Sequence, residues 1–276
     1  MKQFMTWDPE IEKTHPRIGE SNTSTNNTYM QINRYKNCDN IGVKMISILP
    51  NDDIKYFQKE KCKYEHFRDG AVKYPYDKSV VSIGYLGEGI YNPQNQPRAY
   101  NIWKHMLTRC DFSYNTKRPT YETSIPDPYF QSFQNFAEWY NCNYYEFPNE
   151  RMDLDKDILC KRNKIYHPNL CIFVPQYINT LVIGCDSKRG ELPIGVQFDK
   201  GNSINSYITK VSVNGVQKYL GSYPTPEEAF NVYKIAKEEE IKRIANLYWF
   251  EKGGKDIPQF EKVYLALLGY QVEITD

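Results

Sequence analysis

The chain has no run of 18 apolar residues, which argues against a membrane-spanning helix. It also has no Cys-x-x-Cys pair. Its seven cysteines (Cys38, Cys62, Cys110, Cys142, Cys160, Cys171 and Cys185) are scattered and odd in number. That distribution reads as reduced thiols in a cytoplasmic protein, against a disulfide framework or a zinc site. Charge of one sign is missing too: 35 Lys and Arg face 34 Asp and Glu, for a net charge of +1. Binding of nucleic acid over the whole surface is therefore disfavoured, while local basic faces remain open. The first residues, Met1-Lys2-Gln3-Phe4-Met5-Thr6-Trp7-Asp8-Pro9, lack the apolar core of a signal peptide and turn acidic at once. Gly84-Tyr85-Leu86-Gly87-Glu88-Gly89 lacks the Gly-Lys-Ser/Thr of a phosphate loop and is expected to be a flexible connector.

Aromatic residues, by contrast, are plentiful: 24 Tyr, 13 Phe and 4 Trp. Asn and Lys are frequent as well, and all these codons are AT-rich. The tyrosine excess therefore reads first as genomic bias, of the kind expected in a low-GC bacterium or its phage, and not as a base-stacking surface.

The most informative stretch runs from Met152 to Pro175. Met152-Asp153-Leu154-Asp155-Lys156-Asp157-Ile158-Leu159 reads as a strand, followed by a basic turn and then by Asn163, His167 and a second apolar segment. Alternate residues of a strand share one face, so Asp153, Asp155 and Asp157 would crowd together. Such crowding costs free energy unless a cation offsets it. The three form a candidate ligand set for Mg2+ or Mn2+, the pattern of a metal-dependent phosphodiesterase.

The expected fold class is α+β, in four parts. Residues 1–75 carry short β-like runs and suggest a small N-terminal β-barrel. Residues 76–187 hold a helix near 98–110, with Tyr100, Trp103, Met106, Leu107 and Cys110 along one stripe, and a second near 132–140, with Phe133, Phe136, Ala137 and Tyr140 inward and Ser132 as a possible cap. Residues 176–190 read as a polar linker. Residues 188–246 form a βββα unit, and 247–276 a helical tail. In the βββα unit Asn214-Gly215 is a strong hairpin signal, and Thr225-Pro226-Glu227-Glu228 opens a helix. Val211 and Val213 are expected to face that helix, leaving Lys210 outward beside Lys218.

The βββα unit resembles the apetala-type (ethylene-response-factor, integrase-type) DNA-binding domain through Leu192-Pro193-Ile194-Gly195-Val196, the Asn214-Gly215 hairpin, Lys218-Tyr219-Leu220-Gly221-Ser222-Tyr223 and Thr225-Pro226-Glu227-Glu228-Ala229-Phe230. That resemblance implies a sheet lying in the major groove of double-stranded DNA, with contacts from Lys188, Arg189, Gln197, Lys200, Ser206 or Tyr207, Lys210, Gln217 and Lys218. Further upstream, Trp103 to Cys110, Phe133 to Tyr140, Leu154 to Leu159 and Asn163 to Pro168 resemble phage-encoded HNH (His-metal finger) homing endonucleases with a ββα-metal fold. This second resemblance implies catalytic roles for Asp155, Lys156, Asn163 and His167, with His167 or Asn169 at the distal metal-ligand position beside the Asp153, Asp155 and Asp157 set. The Asp-His pair of that family stands here as Asp155-Lys156, and lysine is a poor base at neutral pH. Three options stay open: His167 is the base, an Asp activates a metal-bound water, or the site is inactive. The implied function is a phage-type, metal-dependent DNA endonuclease in the cytoplasm of a bacterial host. The alternatives are a catalytically inactive DNA-binding protein, whether a regulator or a factor counteracting host defence, and a module that binds a host protein.

Overall fold

The structure is a computed structural model that describes residues 15–48, 54–116, 123–182, 192–201 and 204–274. It is a mixed α+β chain in two compact units. One comprises residues 1–141 with 165–168, the other 142–164 with 169–276. The segment 76–187, expected as one domain, contributes to both.

The first unit opens with an antiparallel sheet in the order β1 (Ser21–Thr23), β2 (Tyr29–Asn37), β3 (Asn40–Ile48), β4 (Ile54–Cys62). Alternation sends Met30 and Ile32 of β2 and Val43 and Met45 of β3 to one face, where they pack with Phe67, Val72 and Tyr74. The expected barrel does not close. Strand β1 is three residues long and offers no ladder to the nine residues of β4. The far half of β4 is exposed and carries Lys59, Glu60 and Lys61, charges that discourage pairing along an open edge.

Helix α1 (Tyr64–Arg68) buries Phe67. Helix α2 (Pro97–Arg109) starts with proline, whose missing N–H costs nothing at that position, and buries Trp103, Met106 and Leu107 of the expected stripe together with Ala99, while Tyr100 is half-buried and Cys110 falls just past the helix end. The short α3 (Phe112–Asn115) is capped by Asp111. After β5 (Ile125–Pro126) come α4 (Pro128–Gln131) and α5 (Phe133–Asn143); α5 buries Phe133, Phe136, Ala137, Trp139 and Tyr140. The Ser132 hydroxyl accepts from the Asn135 N–H at 3.5 Å. Trp103 Nε1 donates to the Phe130 carbonyl (2.7 Å) in the middle of this core.

The Gly84–Gly89 segment is not a flexible connector. A Cβ at Gly84 would lie 2.3 Å from Leu107 Cδ1 and 2.6 Å from Trp103 Cζ2, so the backbone rests directly on α2. Gln134 Nε2 donates to the carbonyls of Leu86 (3.0 Å) and Tyr91 (2.8 Å), and its Oε1 accepts from the Tyr91 N–H (3.1 Å). One half-buried amide thus holds the turn from Leu86 to Tyr91.

The chain then forms β6 (Met152–Asp155) in the second unit and returns to the first for β7 (Ile165–Tyr166), which runs parallel to β5. Strand β8 (Ile172–Pro175) pairs antiparallel with β6, and α6 (Gln176–Val182) follows directly, burying Ile178 and Leu181. The polar-linker reading therefore fails for 176–182, where a two-residue apolar stripe was enough to form a helix. Strands β9 (Val196–Phe198), β10 (Tyr207–Val213) and β11 (Val216–Tyr223) make a three-stranded antiparallel meander with β10 in the centre. Helix α7 (Pro226–Asn246) packs on β10. A π-helical turn at Leu247–Glu251 and a 3-10 turn at Gly254–Asp256 lead to α8 (Pro258–Leu268). An aromatic cluster of Tyr145, Phe147, Tyr248 and Phe260 joins these pieces.

Substituting Gly84→Ala should cost about 1–3 kcal/mol in urea unfolding, because the methyl collides with Trp103 and Leu107. Gly201→Ala, where the nearest atom is 3.4 Å away, should stay within about 0.5 kcal/mol of wild type.

Candidate nucleic-acid interface and the Asp155 loop

The geometry of the βββα unit begins at its turn. Asn214 (φ 52°) and Gly215 (φ 78°) both sit in the left-handed region, the signature of a type I′ hairpin. The first strand approaches α7 closely at Gly195, where a Cβ would fall 2.1 Å from the Tyr233 ring. Thr209 Oγ1 donates to the Gly195 carbonyl (2.8 Å). Thr209 and Val211 are buried on the side of α7, as the alternation predicts. At the far end, Arg243 holds the buried Glu240 carboxylate through two bonds (2.7 and 2.8 Å) and reaches Asn214 Oδ1 (2.6 Å). The hairpin tip is thereby tied to the helix.

Register decides the opposite face. A two-residue turn pairs Val213 with Val216, Ser212 with Gln217, Val211 with Lys218 and Lys210 with Tyr219. Lys218 therefore shares the α7 side with Val211, and the expected Lys210–Lys218 pairing is wrong. The outer face carries Lys210, Ser212, Gln217 and Tyr219, with Ile208 opposite both Gln197 and Ser222. Between Thr209 and Lys210 the register slips by one, leaving Leu220 as the extra residue of a bulge. Tyr219, 55% exposed, was missed by the sequence reading, although counting outward from the turn would have found it. Lys200 is exposed beyond β9, and Tyr207 turns inward against Phe198 (5.5 Å between rings). Lys188 and Arg189 lie outside the described residues.

The Asp155 loop is built differently from the expected carboxylate strand. Strand β6 stops at Asp155, because its buried carboxylate turns the chain: Oδ1 accepts the N–H groups of Asp157 (2.8 Å) and Ile158 (2.6 Å). Asp157 lies past the strand and does not share its face with Asp153. The Lys156 ammonium is buried and donates to both oxygens of Asp157 (2.8 and 2.7 Å) and to the Asn163 carbonyl (2.6 Å). Asn163 Nδ2 answers by donating to the Lys156 carbonyl (2.9 Å). The two residues clasp the loop between them. Asp153 is bound by Arg151 Nε at 3.0 Å.

His167 belongs to the other unit, one residue past β7. The pairing of Pro126 with Tyr166 sets Asp127 next to it, with His167 Nε2 3.8 Å from Asp127 Oδ2. Asp127 also caps α4 through the Tyr129 N–H (2.8 Å). It went unnoticed in the sequence, where its position before Pro128 marks only a helix start. Also unnoticed was Asn179 on α6, whose Oδ1 is buried with no hydrogen-bond partner among the described residues. Among the described residues no group of three or more His, Cys, Asp or Glu is placed to hold a metal ion. No protein-family model matches this chain, and neither a curated protein nor a solved structure does.

Burial pushes the Asp155 carboxyl above the ordinary carboxylate value, outweighing its two N–H bonds. A raised native pKa makes the proton stabilising, so this contribution is present at low pH and is lost as pH rises through the raised value. Asp155→Asn keeps an oxygen for both N–H groups and should remove that pH slope at little cost to stability. Asp155→Ala orphans them and should cost about 1–3 kcal/mol. Urea unfolding of the three proteins across pH 4–8 (roughly the carboxylate-to-neutral range) checks both; equal loss in the Asn and Ala variants would rule out the capping role.

Proposed function

We propose that this protein binds double-stranded DNA through the outer face of the β9–β10–β11 sheet. One observation carries the reading. Among the described residues, the paired positions of this face are Gln197, Ile208, Lys210, Ser212, Gln217, Tyr219 and Ser222, none of them a carboxylate, while Asp199, just past β9 opposite Ser206, turns an oxygen to the Gly201 N–H. The major groove admits a β-ribbon, glutamine matches the edge of adenine, and lysine and tyrosine meet phosphates. Support from α7 and the Arg243 tie keeps the face rigid, so little ordering entropy opposes docking.

Phosphodiester hydrolysis on the bound duplex is the second reading. The feature favouring it is the His167–Asp127 pair within the first unit, an imidazole nitrogen 3.8 Å from a carboxylate oxygen. In this reading His167, oriented by Asp127, accepts the proton of the attacking water. The carboxylates Asp153, Asp155 and Asp157 are committed to Arg151, to backbone N–H groups and to Lys156, which does not fit a preformed Mg2+ site, and no step is assigned to a metal.

Lys210→Ala should weaken binding of the full chain to every duplex and lower the slope of log affinity against log salt by about 1. Gln217→Ala should instead change base preference, by about 1–3 kcal/mol at one position. A Lys210→Ala, Gln217→Ala double variant that binds like wild type refutes the sheet as the reading surface.

Supercoiled-plasmid nicking in the presence of Mg2+ or Mn2+ tests the second reading, with His167→Ala expected to lower the rate about 100-fold. No nicking by wild type leaves the protein a DNA binder without hydrolytic activity.

A further inference from the structure

The basic turn after Asp155 carries two cations, Lys161 and Arg162, that neither the core nor the sheet face uses. Both are met by the segment that follows α8. Arg162 Nη2 donates to Glu273 Oε2 (2.8 Å). Lys161 Nζ donates to the Gln271 carbonyl (2.7 Å), stands 3.8 Å from Glu273 Oε1 and lies 4.6 Å from the centre of the Tyr270 ring. One carboxylate therefore spans two cations.

The delivery of that carboxylate is built into the fold. Val272 is buried, and its peptide is held from both sides by α7: Lys234 Nζ donates to its carbonyl (2.9 Å), and its N–H donates to Glu238 Oε1 (2.9 Å). Glu273 is the next residue, so its position follows from that anchor. On the other side Arg162 is held at φ 62° in a turn closed by the Asn163 N–H to the Cys160 carbonyl (3.1 Å). The backbone thus aims the guanidinium. Glu273 and Arg162 are about half exposed, with side-chain exposures of 49% and 60%. An ion pair that open to water is weak and readily exchanged.

A carboxylate across a guanidinium and an ammonium occupies the place that a DNA phosphate would take, since both present two oxygens with one negative charge. We infer that Lys161 and Arg162 form a backbone-phosphate site for duplex DNA, kept closed in the free protein by Glu273 until a phosphate displaces it. The inference rests on the DNA-binding reading and adds to it a second contact point with a built-in competitor.

The test is a double-mutant cycle on the full chain, read as affinity for a short duplex over a salt series. Glu273→Gln keeps shape and hydrogen bonding while removing the charge; it should tighten binding about two- to fivefold, the range of one exposed ion pair. Lys161→Ala with Arg162→Ala should weaken binding and reduce the salt slope by about 2. In that background Glu273→Gln should have no further effect. Binding unchanged by Glu273→Gln overturns the site, and so does equal tightening in both backgrounds, which would be a general charge effect. If the double variant does not fold, Arg162→Ala alone serves the cycle. Inorganic polyphosphate as a second probe separates the two readings. Wild type that ignores the duplex but binds polyphosphate, more tightly as Glu273→Gln, refutes duplex binding and leaves the cation site standing. A protein that binds neither overturns both.

Discussion

The two-residue turn at Asn214–Gly215 fixes which side chains the C-terminal sheet shows to solvent, and the proposed function follows from that parity. A type I′ turn forces Val213 opposite Val216, and every pair behind it is then determined as far as the bulge at Leu220. Lengthening the turn by one residue would exchange the two faces of β11. Arg243 guards this geometry by tying the turn to the buried Glu240 of α7. That ion pair serves packing and register together: without it the buried Glu240 would lose the guanidinium that satisfies both its oxygens.

The Asp155 loop shows the opposite use of charge. Asp155 and Lys156 are both buried, and each is satisfied by the loop itself: two N–H groups for the carboxylate, and Asp157 with a carbonyl for the ammonium. These are residue types that could carry phosphodiester chemistry, yet here their hydrogen-bonding capacity goes into holding the shape of the loop. The basic turn at its tip faces the C-terminal segment, where Glu273 pairs with Lys161 and Arg162. Polar groups inside the loop specify its conformation, while those at its tip are exchangeable because water screens them.

Much of the local structure was legible. The stripe Trp103, Met106 and Leu107, the inward set Phe133, Phe136, Ala137 and Tyr140, the Thr225 cap (Oγ1 accepts the Glu228 N–H at 3.2 Å) and the Asn214–Gly215 hairpin all stand where periodicity and capping chemistry put them. These are short-range features, governed by residues three or four apart. The barrel failed because closure depends on two edges meeting, and the length of β1 carries no mark in the polar run around Ser24. The carboxylate strand failed because Asp155 satisfies the backbone ahead of it, a competition between side-chain capping and extended structure that alternation cannot reveal.

Sequence by itself determined the α+β class, the helix faces and the order of the β9–β10–β11–α7 unit, because each depends on local periods and on turn residues with one favoured geometry. Tertiary structure decided the rest. It set Lys218 on the α7 side, brought Asp127 beside His167 across the β5–β7 pair, pinned the Gly84 turn through Gln134, and carried Glu273 to Lys161 and Arg162. Each of these joins residues that only the folded chain brings together. Such contacts depend on register and on anchors like Val272, whose partners lie far away along the chain and leave no local pattern to read.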